Sequence, residues 1–335
     1  MQHRTELSSE KAPFRLSHRD TIIAIGSCFA ENIGERLLHS TISTLINPFG
    51  IVYNPLSVAA QLQLLTTDTF FSESDIHFHN ELYFSYLHHS NYNNTDKSIF
   101  LETINDSLKN ARNHFENTNR LLITLGTAQV FFENKTQMPV ANCHKQPAAL
   151  FGKRRISVAE TVASLSEVFE KVICKKNDLQ KNDLQKNDLE KNDLEKNDLQ
   201  IIISVSPVRY LREGIVESAR SKAILLLAVE ELCAQFSECY YFPAYEYLID
   251  DLRDYRYYAD DFLHPNAQAI AYIWEKFGET FFTNETQALN TRLHKIRTAQ
   301  NHRALHPETK AHQRFLSNLD KEIAVLSREL GRRVI

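Results

Sequence analysis

Three short segments of the chain are apolar at nearly every position, and each ends at small or turn-forming residues. A strand that is apolar throughout is buried on both faces, which is typical of the parallel sheets of α/β proteins. Between these segments the apolar residues recur with helical spacing. The pattern predicts strands and helices in alternation around a parallel sheet. The three segments are Thr21–Ile25, Leu121–Leu125 and Ile201–Val205.

Shorter apolar stretches at Ser43–Ile46 and Tyr240–Phe242 predict two further strands, which gives a five-stranded sheet. The expected fold class is a three-layer α/β/α arrangement with a mainly parallel, flavodoxin-like sheet. A ligand site then lies outside the carboxyl ends of the strands. The turns on that edge follow Ile25, Ile46, Leu125, Val205 and Phe242.

The connecting segments are expected to be mostly helical. Glu81–His89 alternates loosely and predicts a hairpin arm, whereas Glu133–Lys145 has no strong pattern. Pro55 suits the first position of a helix. The predicted helices are Ala30–Leu38, Leu56–Leu65, Thr95–Glu116, Val158–Val172, Val216–Gln235 and Asn266–Phe277.

We expect one domain over residues 17–284 and a helical C-terminal appendage over residues 285–335. The segment Leu289–Leu330 is rich in Arg, Lys and His, which predicts a solvated helical appendage. A dimer arm or a site for an acidic partner is the alternative. The oligomeric state is left open.

A run of five tandem pentapeptides, KNDLQ or KNDLE, occupies Lys176–Gln200. Each unit has one apolar residue in five, so the run cannot form a core. Successive leucines are rotated by about 140° on a helix and form no stripe. We expect a surface loop between a helix and a strand, with an interaction tether as the alternative.

Overall charge and the lack of long apolar stretches exclude several classes of protein. Lys plus Arg number 38 and Asp plus Glu number 42, for a net charge of −4, so binding to nucleic acid is not expected. No stretch has the ~18 unbroken apolar residues of a membrane span. Residues 1–20 are polar and charged, without the apolar run of a secretory signal. A cytoplasmic location is therefore expected.

The turn Gly26-Ser27-Cys28 joins the first predicted strand to the first predicted helix. A hydroxyl or thiol at a helix N-terminus lies beside free backbone N–H groups and the positive end of the helix dipole. These features favour a thiolate and can hold an oxyanion. Ser27 or Cys28 is thus a candidate nucleophile. Alternatively, Ser27 is only the N-cap of the helix.

The segment Asp260–Asn266 precedes the last helix of the domain and contains Asp261 and His264. On a helical turn, this spacing brings a carboxylate to the imidazole Nδ1. The carboxylate would fix the tautomer and leave Nε2 free as a general base. A surface histidine near a helix cap is the alternative. A nucleophile near the N-terminus followed by Asp-x-x-His predicts a Ser/Cys–His–Asp site.

The remaining histidines suggest no clear metal site. His77 and His79 would share one face of a strand, and with His88 or His89 they could bind zinc. No Cys or carboxylate joins them at ligand spacing. We therefore expect neither a metal nor an organic cofactor.

The motif GSCFAENIG, at Gly26–Gly34, resembles the signature of the GSCFA family, which is placed in the wider SGNH or GDSL-like hydrolase superfamily. The resemblance runs from about Ser17 to Leu330, apart from the pentapeptides. It implies a single α/β/α domain and acyl chemistry on an ester. Further matching motifs are NPFGIVYNP at Asn47–Pro55, LHHS at Leu87–Ser90, TLGTA at Thr124–Ala128, NCHK at Asn142–Lys145, SPVR at Ser206–Arg209 and YRYYADDFLHPN at Tyr255–Asn266.

The resemblance assigns roles residue by residue. The superfamily Asp-x-x-His falls on Asp261 and His264, and its second glycine, an oxyanion donor, falls on Gly50. The superfamily serine position holds Cys28, while Ser27 stands one residue earlier, and both remain candidate nucleophiles.

The resemblance assigns the other parts of the oxyanion and substrate site less directly. The superfamily's Gly-x-Asn block is Gly126-Thr127-Ala128 here, so its asparagine is absent. Asn142 or His144 is expected to supply the missing donor. His89 is a candidate substrate contact, and Arg209 either binds an anionic group or pairs with Asp260.

The expected function is hydrolysis of a small-molecule or glycan O-acyl ester. An acyltransferase of the same fold, or a ligand-binding relative without turnover, is the alternative. A scaffolding protein is a third hypothesis.

Overall fold

The computed structural model describes residues 5–187, 199–301 and 305–332. The strands are β1 (Thr21–Gly26), β2 (Ser43–Ile46), β3 (His77–His79), β4 (Leu82–Phe84), β5 (Arg120–Leu125), β6 (Gln129–Glu133), β7 (Pro139–Val140), β8 (Phe151–Arg155), β9 (Gln200–Val205) and β10 (Cys239–Tyr241). The helices are α1 (Cys28–His39), α2 (Pro55–Thr66), α3 (Lys97–Asn117), α4 (Val158–Asn187), α5 (Ile215–Gln235), α6 (Ala244–Glu246), α7 (Ala267–Phe281), α8 (Asn284–Asn301) and α9 (Lys310–Glu329).

Five of the strands form the central sheet, in the order β2-β1-β5-β9-β10. All of its neighbouring pairs are parallel, with Gly26 opposite Thr124 and Leu125 opposite Val205. This is the flavodoxin-like order that the apolar runs predict. The predicted fold class is confirmed.

The two faces of the sheet carry separate cores because alternate side chains of a strand point to opposite faces. Ile23, Ile123 and Ile203 pack with the buried faces of α2, α3, α4 and α5. Ile22, Leu122 and Ile202 pack with α1 and α7. The result is three layers, with the turn at the start of α1 on the carboxyl edge of the sheet.

Local sequence fixes the start of the helices next to that edge. The side chain of Asn54 accepts a hydrogen bond from the N–H of Ser57, and Pro55 occupies the first turn of α2. The prediction for Pro55 is therefore confirmed. The side chain of Asn266 caps α7 in the same way, through the N–H groups of Gln268 and Ala269.

A second, three-stranded antiparallel sheet, β7-β6-β8, was not predicted. It includes part of Glu133–Lys145. Its strands are short and have polar positions, so they lack the apolar alternation by which strands are detected. The predicted hairpin arm is present as β3 and β4, slightly earlier in the chain.

The pentapeptide run is not a loop where the structure describes it. Helix α4 continues to Asn187, through the first two units and into the third. The Nζ atom of Lys176 donates to the carbonyls of Phe115 (3.2 Å) and Glu116 (2.8 Å), at the end of α3. These bonds tie the first pentapeptide to the domain. The predicted loop is wrong over the part of the run that lies in α4. Residues 188–198 lie outside the described residues, and Gln200 already belongs to β9.

The C-terminal segment is helical, as the sequence predicts. Helices α8 and α9 enclose a small core of Leu293, Ile296, Leu319 and Leu326. Thr286 Oγ1 donates to Leu16 O at 3.1 Å, which holds the start of α8 against the domain. The exact boundary at residue 285 stays a prediction. No helix in the described part of the chain is long and apolar enough to cross a membrane.

Candidate active site

A cavity of about 260 Å³ opens at the carboxyl edge of the central sheet. Its walls come from the β1–α1 turn, the ends of β5 and β9, and the loop before α7. Five of the predicted site residues line it: Ser27, Cys28, Gly126, Arg209 and His264. The fold therefore brings together the nucleophile and base motifs, which lie far apart in the sequence.

Ser27 is held firmly by its neighbours. Its Oγ accepts from the N–H of Phe29 at 3.2 Å and lies 3.0 Å from Thr124 Oγ1. Its side chain is the N-cap of α1, and the residue is 1% exposed. The predicted N-cap is therefore present, and the role of Ser27 as a nucleophile stays a prediction. The Oγ already has two partners, which leaves it little freedom to turn towards a substrate.

Cys28 is the first residue of α1 and is half-buried in the cavity wall. Its N–H is one of the amides that an α-helix leaves without an intrahelical acceptor. Burial raises the pKa of the Cys28 thiol, the carboxylate of Glu31 acts in the same direction, and Lys222 acts against both. The resting group is therefore a neutral thiol at neutral pH, and it needs a base to become a nucleophile.

The Asp261–His264 contact has the expected pairing of atoms. His264 Nδ1 lies 2.6 Å from Asp261 Oδ2. Asp261 Oδ1 also accepts from the N–H groups of Leu263 and His264, at 2.8 Å and 3.0 Å. These backbone bonds, followed by the imidazole, lower the pKa of Asp261 to about 2. Asp261 is thus a carboxylate at neutral pH and can hold Nδ1–H, which leaves Nε2 as the free nitrogen.

The turn that carries this pair is not helical, contrary to the expectation. Phe262 has a φ of 56°, in the left-handed region. His264 also precedes Pro265, and the ring of a proline disfavours the helical conformation of the residue before it. The contact between Asp261 and His264 forms instead in a turn whose backbone N–H groups donate to the Asp261 carboxylate.

Arg209 connects this turn to the end of β9. Its backbone N–H donates to Leu263 O at 3.0 Å. Its guanidinium lies over the rings of Tyr258 (4.2 Å) and Tyr255 (5.2 Å). Within the described residues Arg209 makes no ion pair, so the alternative of a pair with Asp260 is not seen. Its charge remains available to the cavity.

The two glycines assigned to the oxyanion site already use their amides. The N–H of Gly50 donates to Asn47 O at 2.7 Å, and that of Gly126 donates to Tyr53 O at 2.7 Å. Gly50 lines a separate polar cavity, with Asn47 and Glu31. The structure thus places Gly126, but not Gly50, at the cavity that holds His264.

The other predicted contacts lie outside this cavity. Asn142 Oδ1 accepts from the N–H of His144 (2.8 Å), and His144 Nε2 lies 3.0 Å from Ser85 O. His144 stacks on Phe84, and burial lowers its pKa to about 4. His89 caps a short turn through its Nδ1 atom. These contacts are structural, and none of the three residues lines the cavity of His264.

The other predicted zinc candidates are also not grouped as ligands. His88 is fully buried among the rings of Phe49, Phe71 and Tyr92, and burial lowers its pKa to about 3. Within residues 5–187, 199–301 and 305–332, no three His, Cys, Asp or Glu side chains are placed to hold a metal ion.

Sequence reasoning missed one charged residue beneath the cavity. Lys222, on α5, is 3% exposed and donates to the carbonyls of two cavity-lining residues, Gly126 and Ser206. A signal was present, because Ser218, Lys222, Leu225 and Val229 follow the spacing of one helix face. A lysine on the buried face of a helix needs a specific partner.

The structure is thus an α/β protein with a flavodoxin-like sheet, in which a thiol at a helix N-terminus and the histidine of an Asp–His pair line one cavity. The sequence model of the GSCFA family matches residues 21–277, and that of the GSCFA domain protein C-terminal domain matches residues 293–331. The chain therefore belongs to the GSCFA family. No curated protein matches the sequence. Membership in the SGNH-like superfamily stays a prediction.

Proposed function

We propose that the cavity is an acyl-transfer site that hydrolyses a small ester, with Cys28 as the nucleophile. One observation supports this most directly: Cys28 and His264 line the same cavity, and His264 is oriented by Asp261. The assignment to SGNH-like hydrolases, which the motifs imply, agrees with this chemistry.

Cys28 is preferred to Ser27 because of what each side chain already contacts. Ser27 Oγ is engaged by Thr124 and by the N–H of Phe29, at the base of α1. Cys28 stands at the next position, half-buried, where the superfamily serine is expected. A thiol is also the better intrinsic nucleophile.

The proposed reaction has two steps. His264 Nε2 takes the proton of the Cys28 thiol as Sγ attacks the ester carbonyl, and the C–O bond then breaks. The alcohol leaves with the proton from His264, and a thioester remains on Cys28. Water, deprotonated by His264, hydrolyses the thioester and restores the thiol.

The negative charge that forms on the carbonyl oxygen needs donors. The N–H of Cys28 is available for this at the positive end of the α1 dipole. Asp261 keeps its charge throughout, because its pKa lies far below neutral. It stabilises the imidazolium without accepting the proton.

Hydrolysis of p-nitrophenyl acetate by the wild type and by Cys28→Ala, Ser27→Ala and His264→Ala tests this proposal. We expect His264→Ala to lose activity by about 10²–10⁴-fold, as for loss of a general base. Cys28→Ala removes the nucleophile and should lose at least as much. Ser27→Ala is expected to lower the melting temperature more than the turnover per folded molecule. The matched control is Cys174→Ala, which removes an exposed thiol on α4.

Two outcomes would contradict the proposal. Full activity in Cys28→Ala with loss in Ser27→Ala would move the nucleophile to the serine. Equal rates in all variants and in the blank would favour a ligand-binding relative without turnover. Transfer to an added alcohol, measured as ester product, separates a transferase from a hydrolase.

A further inference from the structure

We propose that Lys222 is a positioning residue of this site, whose ammonium group joins the carboxyl ends of β5 and β9 and favours the thiolate form of Cys28. The inference rests on the proposed function only in taking Cys28 as the reacting group.

The first support is the geometry beneath the cavity. Lys222 Nζ donates to Gly126 O at 2.7 Å and to Ser206 O at 2.6 Å. Gly126 directly follows β5 and Ser206 directly follows β9, and both line the cavity. One side chain from α5 thus bridges two strand ends that form the cavity wall.

The second support is the kind of partner that Lys222 has. A buried ammonium is normally paired with a carboxylate, because desolvation of an unpaired charge is costly. Within the described residues Lys222 makes no ion pair, and two backbone carbonyls hold it instead. A neutral amine has two N–H donors, so both bonds survive the loss of one proton.

This arrangement gives Lys222 a labile proton near neutral pH. Burial lowers its pKa to about 7, and the charge of a Cys28 thiolate opposes that shift. The titratable side chain of Tyr245 also packs against Lys222, with its ring centroid 5.7 Å from Nζ. The charged side chains that act on Cys28 are Glu31 on its own helix and Lys222 on α5. Tyr53, Tyr210 and His264 line the same cavity.

The charges of the two groups influence each other. Once the pair has lost its first proton, the remaining proton is either on Lys222, with a Cys28 thiolate, or on Cys28, with a neutral Lys222. The positive charge of Lys222 favours the Cys28 thiolate, and this effect is lost as Lys222 gives up its proton.

The rate of Cys28 alkylation by iodoacetamide, measured from pH 5 to pH 10, tests the inference without any ester. The peptide from Asp20 to Arg36 contains Cys28 and no other cysteine, so mass spectrometry follows this thiol alone. We expect an inflection near pH 7 in the wild type and its loss in Lys222→Gln. The alkylation rate of Lys222→Gln at pH 7.5 should be lower by about tenfold, the effect of a one-unit change in pKa.

Two further variants and one internal control keep the result specific. His264→Ala should retain the inflection, because the inference assigns it to Lys222 and not to the imidazole that lines the same cavity. Lys171→Gln, a substitution of an exposed lysine on α4, should match the wild type. Cys174 alkylation, followed in the same digests, should not change.

An unchanged profile in folded Lys222→Gln would overturn the inference. A lower melting temperature in Lys222→Met together with an unchanged profile in Lys222→Gln would assign Lys222 a structural role only. Loss of the inflection in Lys222→Gln, with no ester turnover in the wild type, would support the inference and reject the proposed acyl chemistry. The two hypotheses therefore fail separately.

Discussion

The two halves of the candidate site differ in how they are held. Ser27, Thr124 and Lys222 form the half beneath the cavity and are at most 3% exposed. Asp261 and His264 form the other half, and their side chains are 44% and 49% exposed. The buried half is fixed by the packing of the sheet, whereas the exposed half depends on one turn and a few hydrogen bonds.

The difference separates stability from reactivity. Changes beneath the cavity disturb contacts between β1, β5 and α5, so they act first on the free energy of unfolding. Changes at the exposed turn remove few buried contacts, so they act first on catalysis. The next three predictions test this division.

The largest effect is expected from Gly26→Ala, in the buried half. Gly26 has a φ of 140°, and an added Cβ would overlap the carbonyl of Thr124 and lie 2.8 Å from its Oγ1. We expect a loss of about 4 kcal/mol or more in unfolding free energy, measured by urea denaturation.

Gly214→Ala is the matched control for this change. Gly214 also has a positive φ, of 89°, but nothing lies within 4 Å of an added Cβ. Its cost should be about 1 kcal/mol, from backbone strain alone. Equal losses in the two variants would show that β1 and β5 do not approach as closely as described.

A smaller effect on stability, but a large one on rate, is expected from Asp261→Asn. The amide oxygen can still accept the N–H groups of Leu263 and His264, so the turn remains. The amide can donate to Nδ1 and favour the wrong tautomer, so kcat should fall by roughly a hundredfold or more. Asp260→Asn, at the neighbouring exposed carboxylate, should retain the wild-type kcat and melting temperature.

The melting temperature and the kcat of Asp261→Asn also test the comparison between the two halves of the site. A melting temperature that falls as far as in Gly26→Ala would show that the exposed turn is part of the cooperative core. Unchanged kcat would remove His264 from the reaction, since its tautomer would then be irrelevant.

The smallest effect is expected from Arg209→Gln. The backbone bond to Leu263 is kept, and only the cationic group over Tyr258 is lost. We expect KM to rise by about tenfold, or about 1.4 kcal/mol, for p-nitrophenyl esters with a carboxylate on the acyl chain. KM for p-nitrophenyl acetate should hardly change.

Arg253→Gln is the control for general charge effects, because Arg253 is exposed and pairs with Asp250. A wild type without preference for the anionic ester would contradict the role of Arg209 in binding an anion.

The fold was predictable from the sequence because the apolar runs at β1, β5 and β9 leave few alternatives to a buried parallel sheet. The Asp261–His264 contact was also predictable, since the two residues are close in the chain. The local conformation was not predictable in the same way, because the left-handed Phe262 and the turn at Gly50 depend on tertiary contacts. Lys222 was missed for a related reason: only the docking of α5 on the strand ends reveals that its charge is buried.

The attachment of Lys176 to the end of α3 has a consequence at the level of the gene. Lys176 lies in the first pentapeptide, so its contact with α3 precedes the remaining units in the chain. Each unit is a whole number of codons, and the gain or loss of a unit during replication therefore keeps the reading frame. The chain can change its length at this point while β5 and β9, on either side, remain paired.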